Sequence, residues 1–182
     1  MPVSIAQIEG KVYFFPQSLH KKHRQTLTRN IDSLRLALNA VRDSQPFDII
    51  AMVVLPEQVH SIWRLPPPGD DNSGARWSQF KALFITYLPL REIRSRNRLQ
   101  RRQPSVWLRK YYEYQIENQR DLQRYIDFVH RAPLRLWLVE RLADWPYSSF
   151  HRYVRNRLLP ADWCAGPEEE LVPEVTESVG RP

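Results

Sequence analysis

The sequence predicts an α+β domain: a ferredoxin-like antiparallel sheet covered by helices, with extra helices at the C-terminal end. Three observations carry that expectation. Segments of strand and helix character follow one another in the order β-α-β-β-α. The two middle strands meet at a tight turn, Pro56-Glu57, as neighbouring antiparallel strands do. The first of them, FDIIAMVVL, is apolar on nearly both faces, the pattern of a covered central strand. The order favours helices on one face of the sheet and leaves the other face open.

Each element has its own signal. Lys11–Leu19 (KVYFFPQSL) reads as the first strand, and Pro16 restricts it to an edge or ends it early, because proline cannot donate to a ladder. HKKHR, residues 20–24, reads as a basic loop. Leu34, Ala37, Leu38 and Val41 fall at helical spacing, so a helix is expected over about 32–43 with Asp32 as its N-cap. Phe47–Leu55 and Gln58–Leu65 (QVHSIWRL) are the paired middle strands, and Pro66 closes the second ahead of the loop PPPGDDNSG. Ala75–Leu88 is an amphipathic helix with Trp77, Phe80, Phe84 and Leu88 on one side. Asp121–Ala132 is a third helix, with Leu122, Ile126 and Val129 as its stripe and Pro133 as its stop. A short helix over Leu134–Leu142 follows, and DWPYSSFHRYV then caps the domain with bulky aromatics. The folded body therefore spans 1–165, and 166–182 reads as an acidic, disordered tail.

Composition narrows the function classes. A chain of 182 residues is expected to be one domain with a sizeable core. Cys164 is the single cysteine, which excludes an internal disulfide framework and a thiolate metal site. No stretch is apolar over the roughly 18 residues that a membrane span needs, and the N-terminus lacks the apolar run of a signal peptide. A cytoplasmic protein without a membrane partner is expected. The net charge is +7, although the tail carries Glu168, Glu169, Glu170, Glu174 and Glu177 against Arg181. The body is therefore more basic still. Arg91, Arg94, Arg96, Arg98, Arg101, Arg102, Arg109 and Lys110 crowd one segment against Glu92. Trp107, Tyr111, Tyr112 and Tyr114 lie beside them. Arginine forks suit phosphate and aromatic faces suit bases, so this segment is the expected DNA-binding surface. Trp107 is the ring expected to stack on a base, and HKKHR extends the basic surface. The five glycines are scattered, and none forms a phosphate-binding loop.

The most informative residues open the second middle strand. Alternate side chains of a strand share a face, so Gln58 and His60 project together. A His-hydrophobe-His triplet there would be a two-imidazole claw for a divalent ion, but this chain has Gln-Val-His.

PFDIIAMVVLPEQVHSIWRLPPPGDDNSGARW, VWLRKYYEYQI, DLQRYIDFVHRAP, LVERLADWPYSSFHRYV and LPADW together resemble the REP-associated tyrosine transposases. These are bacterial relatives of the single-strand insertion-sequence transposases in the HUH superfamily. The resemblance runs from about Tyr13 to Trp163. It implies a partner, single-stranded DNA folded into palindromic hairpins, and a chemistry. In that chemistry a tyrosine hydroxyl attacks the scissile phosphorus and stays bound as phosphotyrosine. A magnesium or manganese ion, held by the claw and by a polar residue one turn after the tyrosine, polarises the phosphate. Carried over, the claw falls on Gln58 and His60, the nucleophile on Phe128 and the further ligand on Ala132. Only His60 keeps the family's residue type. A benzyl ring has no oxygen to attack with, and a methyl group has nothing to offer a metal.

Three readings follow. In the preferred one the chain binds hairpin DNA, has lost strand cleavage and holds magnesium or manganese weakly or not at all. In the second it remains an active metal-dependent transposase through Tyr125, with metal on His60 and Gln58. Tyr125 precedes Phe128 by one turn, displaced by about 4.5 Å along the axis, and reads better as a helix-surface aromatic. In the third the chain is a remnant that binds structured RNA or nothing specific.

Overall fold

Alternation along the first strand sends Val12 and Phe14 to one face of the sheet and Tyr13 and Phe15 to the other, and all four are buried. A strand apolar on both sides must be covered on both sides, and this one is. The computed structural model describes residues 9–20, 23, 25–67, 72–89, 106–108 and 112–164. The elements are β1 (Lys11–Ser18), α1 (Thr26–Arg29), α2 (Ile31–Ser44), β2 (Asp48–Val54), β3 (Gln58–Leu65), α3 (Ser73–Tyr87), β4 (Tyr114–Ile116), α4 (Gln119–Arg135) and α5 (Phe150–Arg155). The strands form one antiparallel sheet in the order β2-β3-β1-β4. This is the split β-α-β arrangement of the expected ferredoxin-like class. The Pro56-Glu57 turn is closed by the Leu55 N–H donating to the Gln58 carbonyl at 2.8 Å.

Two apolar layers sandwich the sheet. On one face, Tyr13, Phe15, Val59, Trp63 and Leu65 pack against the α2 stripe Leu34, Ala37, Leu38 and Val41 and against Trp77, Phe80 and Phe84 of α3. The Trp63 and Trp77 rings lie parallel with centroids 4.5 Å apart. On the other face, Val12, Phe14, Val53 and Ile62 meet Leu122, Ile126, Phe128, Val129 and Ala132 of α4 and Tyr153 of α5. The expectation of one open face is therefore corrected. Leaving Val12, Phe14, Val53 and Ile62 in water would forfeit roughly 1.5–3 kcal/mol for each side chain that could be fully buried.

Other differences have local causes. β1 lies between β3 and β4 and is not an edge strand. Pro16 is tolerated because β4 pairs only with Val12–Phe14, so at Pro16 the strand has its ladder partner on the β3 side alone. The cap position before α2 is Asn30, and Asp32 lies in the first turn. α4 runs past its expected stop and holds Pro133 within its last turn, where the missing N–H costs a single ladder bond. The expected helix over Leu134–Leu142 does not form. The chain leaves α4 through Trp137 at φ 54°, and only a 3-10 turn, Leu142–Asp144, follows. The short β4 and α1 carry too little periodicity to be read in sequence. The outer edge of β2 is covered by Tyr147–Ser149: Val54 N–H donates to the Tyr147 carbonyl and Ser149 N–H to the Met52 carbonyl, each at 2.8 Å. The acidic tail lies outside the described residues. Among those described, no helix is long and apolar enough to cross a membrane.

Candidate active site

Gln58 and His60 stand at the start of β3, opposite Ser18 and Pro16 of β1. Strand alternation sends them to the face that α4 covers, as expected from the sequence. α4 is anchored at its N-terminus by Asn118, whose side-chain oxygen accepts from the Asp121 N–H at 2.9 Å. The helix lays Tyr125, Phe128 and Ala132 against the sheet. The His60 ring stacks on Phe128 with centroids 5.4 Å apart and 25° between planes. Phe14 meets Phe128 edge-on at 5.7 Å, and the Arg135 guanidinium carbon lies 3.8 Å over the Phe128 ring centre. The structure thus brings together Gln58, His60, Phe128 and Ala132, and adds Arg135.

The imidazole is 4% exposed. Its Nε2 lies 3.1 Å from the Gln58 Oε1. An amide oxygen only accepts, so in this pairing Nε2 carries the proton. Nδ1 is buried and has no hydrogen-bond partner among the described residues. Burial first, and the Arg135 charge second, push the His60 pKa down to about 3, so the ring is neutral at pH 7. Phe128 is 2% exposed and offers no oxygen. Tyr125 is 9% exposed, its ring 4.7 Å from Phe14. That corrects the helix-surface reading: Tyr125 is a core residue between helix and sheet.

No family model matches this chain. It is 35% identical over 157 residues to a REP-associated tyrosine transposase of Escherichia coli K12, covering 86% of this chain and 87% of that protein. A Haemophilus influenzae protein described under the same family name is 33% identical over 165 residues, covering 90% and 93%. The solved structure of a REP-associated tyrosine transposase bound to a REP hairpin matches with a TM-score of 0.74 at 32% identity, covering 90% and 92%. This chain belongs to the REP-associated tyrosine transposases.

In this transposase-family chain the other sequence-derived candidates fall as follows. Arg91, Arg94, Arg96, Arg98, Arg101, Arg102, Arg109 and Lys110 lie outside the described residues. Trp107 is not positioned to take a base: it is 3% exposed and packs edge-on to Phe84 and tilted on Phe80. An aromatic beside a charged run reads as exposed in sequence, but the helix α3 stripe claims this one for the core. His130, not among the sequence candidates, is a core histidine. It is fully buried, its Nε2 lies 2.9 Å from the Ser149 Oγ, and burial followed by the Arg152 charge lowers its pKa to about 3. Sequence reasoning misses Arg135. The signal is present in its spacing, since positions 128, 132 and 135 repeat as i, i+4 and i+7 on one helical stripe.

The donors for a divalent ion can be counted from these residues. The Gln58 oxygen and the His60 Nε2 lie 3.1 Å apart, and Nε2 becomes a donor to an ion only when its proton moves to Nδ1. Ala132 supplies no third donor, and the Arg135 charge stands nearby. Among the described residues no group of three or more His, Cys, Asp or Glu could hold a metal.

Proposed function

We propose that this protein binds single-stranded DNA folded into a palindromic hairpin and no longer cuts it. The binding half rests on the family, one member of which is solved with a REP hairpin, and on a net charge of +7 concentrated in an arginine-rich body. The loss of cutting rests on one observation above the others. The side chain at the nucleophile's position, Phe128, is a hydrocarbon ring packed closed by His60, Phe14 and Arg135. The neighbouring donors do not fit magnesium or manganese, which are held by several oxygens in an ordered shell. One neutral amide and one imidazole beside a fixed positive charge make a poor substitute. Within this reading His60 and Gln58 serve the packing of α4 on β3. Tyr125 is no substitute nucleophile, because its ring is committed to Phe14.

The test is incubation with manganese and an end-labelled palindromic oligonucleotide, read on native and denaturing gels. A retarded native band without a covalent adduct or shortened product is the expected result. A protein–DNA adduct that survives denaturation would overturn the loss of cutting, and its removal by Tyr125→Phe would assign the nucleophile. Preference for structured RNA over hairpin DNA would replace the DNA reading.

A further inference from the structure

α4 ends in a paired hydrogen-bond cap. The Leu138 N–H donates to the Pro133 carbonyl and the Trp137 N–H to the Leu134 carbonyl, each at 3.0 Å. This geometry places Trp137 at the position where helices commonly carry a left-handed glycine. Trp137 adopts it at φ 54°, which bulky L-residues rarely do. Its indole is also 93% exposed, the most exposed large apolar side chain among the described residues. The residue is therefore unfavourable twice, in backbone strain and in unburied apolar area, and nothing within the described fold offsets either.

From this geometry we infer that Trp137 is a stacking platform for one unpaired base of the bound strand. The inference rests on the hairpin-binding reading and deepens it. Two features favour a base over a protein partner. Arg131, Arg135 and Arg141 flank the tryptophan in sequence against Glu140 and Asp144, the last paired with Arg141 at 2.9 Å, so the net charge around the tip is +1, the sign that suits a phosphate backbone. Trp137 and Leu138 alone also present far less apolar area than the roughly 800 Å² per partner of a stable protein interface. The location fits as well. Arg135, two residues before Trp137, covers the Phe128 ring, so the tip adjoins the candidate site. An indole at the end of α4 would hold a base as the strand passes.

The experiment measures binding of a fluorescein-labelled hairpin with a single-stranded foot, intact or carrying one abasic site at each foot position in turn. For the unaltered protein, one abasic position should cost roughly 5- to 150-fold in affinity, the range for one base–aromatic stack. Trp137→Gly should bind the intact hairpin weaker by a similar factor and be indifferent to that abasic site. Trp137→Phe, which keeps a ring, should retain most of the affinity. Trp137→Gly should meanwhile raise the thermal midpoint by about 2–4 °C, because glycine adopts this φ freely. Greater stability with weaker binding is a combination that a structural role would not produce. Equal binding of the intact hairpin by Trp137→Gly and the unaltered protein would overturn the inference. So would a uniform loss on every probe, including a blunt hairpin, or altered self-association with unchanged DNA binding. If the unaltered protein bound no hairpin, the hairpin-binding reading and this inference would fall together.

Discussion

Phe128 differs from the tyrosine it stands for by one oxygen, and its surroundings have closed over the difference. The His60 face, the Phe14 edge and the Arg135 guanidinium all pack on its ring. Returning the hydroxyl alone should therefore not return the reaction. Phe128→Tyr is expected to give no covalent adduct with manganese and a labelled hairpin on a denaturing gel, because Gln58 and Ala132 still leave the ion short of donors. Efficient nicking by that variant would show that the claw works with one histidine. The buried histidines make a second residue-scale prediction. His60 and His130 each have a folded pKa near 3 against about 6.5 for a free imidazole. Between those values the unfolded chain holds protons that the folded chain refuses. Stability is therefore complete above about pH 6.5 and declines as the pH falls toward 3, by up to about 1.4 kcal/mol per pH unit for each histidine. Thermal midpoints over pH 7 to 4 should show this slope, and His60→Gln should make it shallower. An unchanged slope in that variant would place the proton uptake elsewhere.

At the scale of elements, α4 is the part on which the site depends, and its start is set by Asn118. Asn118→Ala removes the acceptor of the Asp121 N–H and should cost about 1 kcal/mol in urea unfolding. Asn118→Gly should cost only a few tenths, so equal losses would deny the capping role. Much of this element, and of the sheet, can be read in the sequence. The α2 stripe, the α3 aromatics and the shared face of Gln58 and His60 follow from periods of 3.6 and 2, which local geometry enforces. Tertiary facts cannot be read. Pro133 should have ended α4, but the helix accommodates it in a last turn that the cap at Trp137 completes. β4 has only three residues and exists because β1 offers it an edge. Trp107 and Tyr125 look like surface rings until the helices pack on them. Arg135 acquires a role only when α4 is laid against β3.

For the whole molecule, sandwiching the sheet between two helical layers rules out nucleic acid lying across the strands. Under the proposed function DNA is therefore met away from the sheet faces, and the basic segment of residues 91–110, outside the described residues, is the contact expected from sequence. Replacing Arg98, Arg101 and Arg102 together by Ala should weaken hairpin binding. It should also flatten the plot of log affinity against log salt, by about 0.7 for each single-strand phosphate that is no longer neutralised. An unaltered slope would take these arginines out of the interface.

The strip Tyr147–Ser149 along β2 has a consequence for biosynthesis. It comes from a late stretch of the chain, so a nascent polypeptide carries a bare strand margin until that stretch leaves the ribosome. Such a margin is a template for pairing with other chains. Messages cut short before this point would thus yield sticky products, and this late strip works as a seam that makes the finished protein safe to accumulate.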